Sequence, residues 1–236
     1  VSGSSFQMGY QHGKQAAPLI RKYLAWIEKF TGKSRSELAA AAMRFLPEIR
    51  KVNRLYVDEV MGLAEGAQIT LSEAMLCQVR GEAARMIDRG CTAFALRKAA
   101  TADGRTFAGQ NQDLEPDYAD VAIVLKVQPS DGRPKAVMVT FAGQLGYAGM
   151  NEHGVANFAN ALYNFEWRFG PPHYPLKRTI LEQKDVNHCI DLLAANRVCS
   201  AANVMLCDGS GNIASVEVRP EGIAIYPDGH PDVRVH

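Results

Sequence analysis

The sequence predicts a mixed α+β protein that changes architecture at Cys91. Residues 1–90 carry apolar side chains at helical spacing, whereas residues 91–236 carry short apolar runs separated by Gly, Asp and Asn, a pattern typical of β-structure. With 236 residues, the chain is long enough to bury a substantial core without disulfides. We therefore expect a helical part over 1–90, called the helical segment below, and a sheet-based part over 91–236.

The helical segment begins with a long amphipathic stretch from Ser4 to Phe30. Pro18 is expected to kink this stretch or divide it into two helices, because proline lacks the amide donor and clashes with the preceding turn. Gly9 and Gly13 lie four residues apart, so they would share one face of the helix. Their lack of side chains would let another element approach that face closely.

Helix boundaries further along the segment are predicted by local motifs. Ser34-x-x-Glu37 and Thr70-x-x-Glu73 match the capping-box pattern, in which side chains satisfy the first backbone amides of a helix. Pro47 suits the first turn of a helix that would end near Gly66. Residues 80–90 are interpreted as a polar linker that has little to bury and is open to cleavage.

The part that follows Cys91 predicts strands with two helices between them. Helices are predicted from Leu176 and from Asp185, which suits an N-cap. The turn at Asp103-Gly104 predicts that the first two strands form a hairpin. The predicted strands cover 92–96, 106–109, 121–127, 135–141, 155–160, 204–207, 213–218 and 223–226.

Charge and cysteine content argue against several classes of protein. The 26 basic and 25 acidic residues give a net charge of +1 without a polybasic run, which argues against nucleic acid and membrane surfaces as partners. The five cysteines suggest no disulfide framework, so a reducing, cytoplasmic location is the simplest interpretation. No segment predicts a transmembrane helix or a signal peptide. Because the chain starts without Met and stops in a predicted strand, we expect it to be a fragment, truncated at its C-terminus.

Cys91 directly follows Gly90 at the change of architecture, and we hypothesise that the bond between them is cut. Cleavage would make Cys91 an N-terminal residue, whose thiol is a nucleophile and whose α-amine, with a pKa of about 7.7–8.0, accepts the proton. Gly90 suits this step because a residue without Cβ admits a strained backbone and close approach. The alternative is a buried core cysteine that starts a strand, which is the common state of a cysteine.

Five short motifs are distributed along the chain. They are Phe6-x-x-Gly9-x-x-His12-Gly13, Arg89-Gly90-Cys91-Thr92, Gly109-Gln110-Asn111-Gln112-Asp113, Gly149-Met150-Asn151-Glu152-His153-Gly154-Val155 and Asn160-Ala161-Leu162. In this order and spacing they resemble the acyl-coenzyme A:6-aminopenicillanic acid acyltransferase family of the N-terminal nucleophile (Ntn) hydrolases, and the resemblance covers nearly the whole chain.

The resemblance implies an αββα sandwich that cleaves itself between Gly90 and Cys91. The helical segment would be a pro-segment that stays bound as one chain of a heterodimer. It also implies acyl transfer or amide hydrolysis through a thioester on Cys91, without a metal or redox cofactor. The substrate would be a small-molecule amide or an acyl-coenzyme A donor, and a homo-oligomer is compatible with this function. Carried over to this sequence, Cys91 is the nucleophile, and Asp113 holds its amine and the surrounding hydrogen bonds in place.

Two positions and the end of the chain distinguish this sequence from relatives within the family. Gln110 stands where the bile-salt and penicillin V hydrolases carry Arg, which favours the acyltransferase-like branch. Gln112 stands where the penicillin acyltransferases show an aromatic residue, which argues against a penicillin-like substrate. The third catalytic group of the family, an Asn of the oxyanion hole, would follow His236, so we expect catalysis by this chain alone to be severely impaired.

Three further residues are candidates for binding the substrate. Asn160 is predicted at a strand end, near where, as the resemblance implies, the family presents groups to the substrate amide. Tyr147 and Gln144 lie in a glycine-rich loop, 142–149, that would line the acyl pocket. Two other functions stay open. One is a papain-like cysteine peptidase, which needs a distant catalytic His, and the other is a non-catalytic binding module in which Cys91 is a core thiol.

Overall fold

The computed structural model describes residues 1–85, 90–163, 167–226 and 232–236, and these form a mixed α+β structure, as predicted. The helices are α1 (Ser5–Thr31), α2 (Arg35–Met43), α3 (Leu46–Val52), α4 (Arg54–Ala67), α5 (Leu71–Gln78), α6 (Arg80–Ala84), α7 (His173–Ile180) and α8 (Val186–Ala195). The strands are β1 (Ser2–Gly3), β2 (Cys91–Leu96), β3 (Phe107–Gln112), β4 (Ala122–Pro129), β5 (Ala136–Phe141), β6 (Ala148–Asn151), β7 (Ala156–Ala161), β8 (Ala202–Cys207), β9 (Ile213–Arg219), β10 (Gly222–Ile225) and β11 (Val233–Val235).

Both predicted capping boxes are confirmed. Ser34 Oγ accepts a hydrogen bond from the backbone N–H of Glu37 at the start of α2, and Thr70 Oγ1 accepts one from Glu73 at the start of α5. In each case the glutamate side chain accepts a hydrogen bond from the N-cap backbone in return. These contacts satisfy amides that a helix start would otherwise leave without a partner.

Two helix boundaries differ from the alternatives that the sequence offered. Pro18 does not divide the first stretch into two helices, since α1 is continuous through it. It lies on the exposed side of the helix, where water can bond the carbonyl that loses its helical donor. The helix predicted from Pro47 to Gly66 is two helices. Asn53 separates them, because its Oδ1 accepts a hydrogen bond from Leu55 N at 3.0 Å and so starts α4 as an N-cap.

The prediction of a polar linker over 80–90 was wrong for its first half. Residues 80–84 form α6, in which the charged residues Arg80 and Glu82 are buried. The polar composition of this segment predicts exposure, but a buried charge is stabilised by specific partners elsewhere in the fold, which the local sequence does not show. The guanidinium of Arg80, for example, lies 4.9 Å from the centroid of the Tyr118 ring. Residues 86–89 lie outside the described residues.

Helices α1 and α4 pack in close contact through glycines, which confirms the expectation for Gly9 and Gly13. A Cβ atom at Gly9 would overlap the backbone carbonyl of Glu59, and one at Gly13 would overlap that of Leu63. Gly62 on α4 meets the backbone of α1 in the same way. The two backbones are therefore nearly in contact along this seam, and no side chain fits between them.

Replacement of Gly13 by Ala is expected to lower the free energy of unfolding by about 1–3 kcal/mol, because the added methyl group forces the two backbones apart. This loss should outweigh the ~1 kcal/mol by which Ala favours a helix interior over Gly. Urea denaturation followed by circular dichroism measures the change. Gln15→Ala, at an exposed position of the same helix, is the matched control and should be neutral. A Gly13→Ala variant as stable as wild type would contradict the close packing.

The strands form two sheets. The larger has the order β1-β4-β5-β6-β7-β8-β9-β10 and is antiparallel except for the pair β1–β4. The smaller has the order β11-β2-β3 and is antiparallel throughout. The hairpin predicted from the sequence, β2–β3, is confirmed, and β4 and β5 pair in the same antiparallel way.

Helices and sheets stack in three layers, and the two faces of β8 show how. Val204 and Leu206 pack with α7 and α8, whereas Met205 and Cys207 pack against alanines of β2 in the small sheet. The helix–sheet–sheet order corresponds to three of the four layers that the resemblance implies. Within the described ranges, no second helical layer covers the outer face of the small sheet, where Phe94 is exposed.

The largest core joins the helical segment to the sheet part. Tyr23 and Tyr56 belong to the same buried cluster as Phe141, Tyr147 and Tyr174. The helical segment is therefore not packed as an independent unit, because its apolar side chains are covered by residues that follow Cys91. Among the helices of the described ranges, none has the length and apolar character needed to cross a membrane.

Candidate active site

Cys91 is the first residue of β2 and the most accessible of the five cysteines. It is half-buried, whereas Cys77, Cys189, Cys199 and Cys207 are buried. Burial raises the pKa of Cys77 and of Cys189 to about 12 and that of Cys207 to about 11, and it raises the pKa of Cys199 well above its usual range. These four groups are protonated thiols at neutral pH, which leaves Cys91 as the candidate nucleophile.

The hairpin β2–β3 brings Asp113 to the junction between Gly90 and Cys91. Cys91 lies opposite Gln112 in the antiparallel register. Gly90, which precedes Cys91, therefore lies opposite Asp113, which follows Gln112. The backbone N–H of Asp113 donates to the carbonyl of Gly90 at 3.0 Å. A Cβ atom built on Gly90 would lie 3.6 Å from Asp113 Oδ2, so the carboxylate stands beside this junction.

Cys91 lines a pocket whose empty volume is about 600 Å³ when the solvent at its open mouth is included. Two of the substrate-binding candidates, Asn160 and Tyr147, lie in its wall. Gln144 does not, because it is fully buried between helix and sheet, where its Nε2 donates to the Tyr23 hydroxyl at 2.9 Å. The lining residues are Gly81, Glu82, Cys91, Tyr147, Ala159, Asn160, Ala161, Trp167, His173, Tyr174, Lys177, Ser200, Ala201 and Ala202.

One wall of the pocket is aromatic. The rings of Tyr147 and Tyr174 have centroids 5.7 Å apart, and the ammonium of Lys177 lies 4.3 Å from the centroid of Tyr147. Trp167 adds a third ring to the lining. Such a surface suits an apolar or aromatic group, with polar atoms at its edge to fix orientation.

The loop that presents Tyr147 is held by side chains of the helical segment. His12 Nε2 accepts a hydrogen bond from Gly143 N at 3.0 Å, and Gln78 Oε1 accepts one from Leu145 N at 2.9 Å. His12 belongs to the motif at the start of the chain. That motif therefore contacts the loop that carries Tyr147 and does not line the pocket itself.

The pocket lining also contains a buried polar cluster. His173 Nε2 and Ser200 Oγ are hydrogen-bonded at 2.8 Å. Glu82 Oε1 accepts hydrogen bonds from the backbone N–H of His173 at 3.0 Å and from Cys199 Sγ at 3.6 Å. Burial lowers the pKa of His173 to about 4 and raises the pKa of Glu82. The imidazole is therefore neutral at physiological pH.

Asn160 of β7 links the large sheet to His236, the residue that follows β11 of the small sheet. Its Nδ2 donates to the backbone carbonyl of His236 at 2.8 Å. Its Oδ1 is buried and has no hydrogen-bond partner among the described residues.

His12 predicts a loss of stability on acidification. Burial lowers its pKa to about 4 from the usual 6.5, so the native state cannot take up the proton that the unfolded chain binds between these values. The contribution of neutral His12 to the free energy of unfolding is complete above pH 6.5, and it decreases by about 3 kcal/mol as the pH falls towards 4. Urea denaturation from pH 7 to 4 should show a shallower dependence in His12→Gln. The exposed His153→Gln should match wild type, and equal slopes in all three proteins would contradict the assignment.

Sequence reasoning missed Glu82, His173 and Lys177. None of them lies in a recognisable motif. Glu82 lies on α6 and the other two lie on α7, and the two helices meet where Glu82 accepts a hydrogen bond from the backbone N–H of His173. Within the described ranges, no group of three or more His, Cys, Asp and Glu side chains is placed to hold a metal ion.

Comparison with known proteins connects this site to one family. A family model described as "Acyl-coenzyme A:6-aminopenicillanic acid acyl-transferase" matches residues 100–235, a range that contains Asp113 and Asn160 and starts after Cys91. The acyl-coenzyme A:6-aminopenicillanic-acid-acyltransferase 40 kDa form of Emericella nidulans is 26% identical over 227 residues. This alignment covers 92% of the chain and 62% of that protein, so the chain spans less than two thirds of its relative.

A solved structure was also matched. It is the penicillin V acylase from Agrobacterium tumefaciens, and the match covers 62% of this chain and 44% of that one. The identity is 16% and the TM-score is 0.36, and a score this low does not establish a common fold.

Proposed function

This chain belongs to the acyl-coenzyme A:6-aminopenicillanic acid acyl-transferase family, and we propose that it is a self-processing enzyme that transfers or hydrolyses the acyl group of a small molecule. The observation that carries the proposal is the position of Cys91. It starts a strand, lines a pocket with an aromatic wall, and directly follows Gly90, beside which the Asp113 carboxylate stands.

Processing would proceed in two balanced steps. The Cys91 thiol attacks the carbonyl carbon of Gly90, the C–N bond breaks, and the proton of the thiol goes to the released α-amine. Water then hydrolyses the thioester, which gives a carboxylate at Gly90 and restores the thiol of Cys91. The hydrogen bond from Asp113 N to the carbonyl oxygen of Gly90 supports this assignment, since a donor at that oxygen stabilises the negative charge that develops there.

Acyl transfer would use the same thiol with its own α-amine as the base. The amine takes the proton of the thiol as sulfur attacks the acyl carbonyl, and it returns that proton to the leaving amine or thiol. An amine or water then attacks the thioester and releases the acyl group. Asp113 is the residue proposed to orient the α-amine, since its carboxylate lies beside the junction where that amine would be exposed.

The aromatic wall supports an apolar or aromatic acyl group as the occupant of the pocket. Tyr147, Trp167 and Tyr174 would pack on it, and Asn160 lies at the edge where the amide or thioester would reach Cys91. The shared core supports a heterodimer in which the helical segment stays bound after the cut, because its apolar side chains are covered by the sheet part.

A substrate screen tests the proposal. Phenylacetyl, hexanoyl and octanoyl thioesters of coenzyme A are offered with water alone or with small primary amines as the acceptor, and thiol release is measured. Mass spectrometry then locates the acyl group in acid-quenched protein. We expect an acyl group on the peptide that begins with Cys91, and the ratio of the two acceptors separates transferase from hydrolase. Thiol release without an acyl group on Cys91 would overturn the mechanism.

A further inference from the structure

Helix α7 supplies three residues to the lining of the pocket that Cys91 also lines, namely His173, Tyr174 and Lys177. Its first residues have no local cap, since the N-cap residue is Pro172, whose side chain has no polar atom. A helix start without a cap leaves backbone N–H groups without partners and is expected to fray. The position of this wall therefore depends on groups supplied from elsewhere.

Glu82 of α6 supplies that group. Its side chain is only 7% exposed, and Oε1 accepts from the backbone N–H of His173, the first residue of α7, at 3.0 Å. A carboxylate in this position satisfies an amide of the first turn and interacts favourably with the positive end of the helix dipole. The same oxygen accepts a hydrogen bond from Cys199 Sγ at 3.6 Å, next to the pocket residue Ser200.

A second buried contact ties α7 to the helical segment one turn further along. Arg178 Nη1 donates to Glu59 Oε1 of α4 at 3.3 Å and to the carbonyl of Leu145 at 3.0 Å. Helix α7 is thus held at two points by carboxylates of the helical segment. Only Glu82 of the two lies in the pocket wall itself.

We propose that Glu82 is a positioning residue of the active site, which caps α7 and fixes the part of the pocket wall that α7 forms. It follows that the polypeptide on the amino side of the cut remains part of the working site after cleavage. This inference rests on the proposed function, since it assigns to Glu82 a role in binding the acyl substrate of Cys91.

The loss of the cap is expected to act on substrate binding more than on the nucleophile. In Glu82→Ala the amide of His173 loses its acceptor and the wall shifts, so KM for the best acyl-coenzyme A thioester of the screen should rise about tenfold with a smaller change in kcat. The rate at which iodoacetamide alkylates Cys91 should be unchanged. Glu82→Gln keeps an acceptor oxygen and should restore KM to near the wild-type value.

Glu48→Ala is the matched control. Glu48 is also a carboxylate of the helical segment that is 7% exposed, but it pairs with Lys51 on α3 and does not line the pocket. If Glu82 is merely structural, Glu82→Ala lowers the melting temperature as Glu48→Ala does, and KM is unchanged in both variants. The inference requires KM to change in Glu82→Ala only.

The outcomes separate the inference from the proposed function. Raised KM in Glu82→Ala, with rescue by Gln and none of this in Glu48→Ala, supports the inference. Wild-type KM in a folded, cleaved Glu82→Ala protein overturns it and leaves the proposed function intact. A wild-type chain that is neither cut nor acylated at Cys91 overturns the proposed function, and the inference with it.

Discussion

Cys91→Ala is expected to abolish both the cut and the acylation of the protein, because the same sulfur is assigned to both reactions. Mass spectrometry under denaturing conditions should find a single chain at the full 25.8 kDa. After incubation with the best acyl-coenzyme A donor, that mass should not increase. The expected loss is complete, since the other described cysteines are buried thiols whose pKa is raised by burial.

Cys189→Ala is the control for this experiment. Cys189 is buried against α7 and the large sheet, so its loss removes a thiol without touching the pocket. The Cys189→Ala protein should be cut and acylated like wild type. Cleavage or acylation that persists in Cys91→Ala would contradict the assignment of the nucleophile.

Arg178→Ala is expected to lower the free energy of unfolding by about 3–5 kcal/mol, because it leaves the Glu59 carboxylate buried without its partner. Both side chains are almost inaccessible, Arg178 at 1% and Glu59 at 2%. The change also removes the donor to the Leu145 carbonyl. Urea denaturation measures the loss, and Cys91→Ala is a suitable background because every chain in it is expected to be uncut.

A double variant separates the ion pair from packing in general. Arg178→Met with Glu59→Leu removes both charges and keeps most of the volume, so it should recover much of the stability lost in Arg178→Ala. Lys22→Ala, which breaks the exposed pair of Lys22 with Asp120, should change stability by less than about 1 kcal/mol. If Arg178→Ala proves as mild as Lys22→Ala, the buried pair does not hold α7 in the way described.

The elements were predictable where local rules decide them. The capping boxes at Ser34 and Thr70 start helices because backbone and side chain satisfy each other within four residues. The strands after Cys91 follow from their apolar runs and turn residues, and the change of structure at this residue is real, since β2 begins there. The break at Asn53 was missed because helical periodicity continues across it, and a single hydrogen bond decides where the second helix begins.

Only residues of the motifs and of the 142–149 loop could be proposed from the sequence as neighbours in the candidate site. Cys91 and Asp113 meet because a hairpin joins them, and Asn160 and Tyr147 reach the same pocket. Gln144 lies in the same loop as Tyr147 but turns into the core towards Tyr23. Sequence position alone does not separate these two directions. Glu82 was hidden for another reason. Its polarity made the segment resemble a linker, whereas its role depends on α7, about ninety residues away in the chain.

The most direct test of the central claim is the mass of the wild-type protein under denaturing conditions, combined with N-terminal sequencing. The account predicts two chains that elute together in the native state, the larger of which begins with Cys91-Thr92-Ala93. A single uncut chain in protein that forms the acyl-enzyme, or a cut at any other bond, would contradict the claim that Cys91 acts as an N-terminal nucleophile.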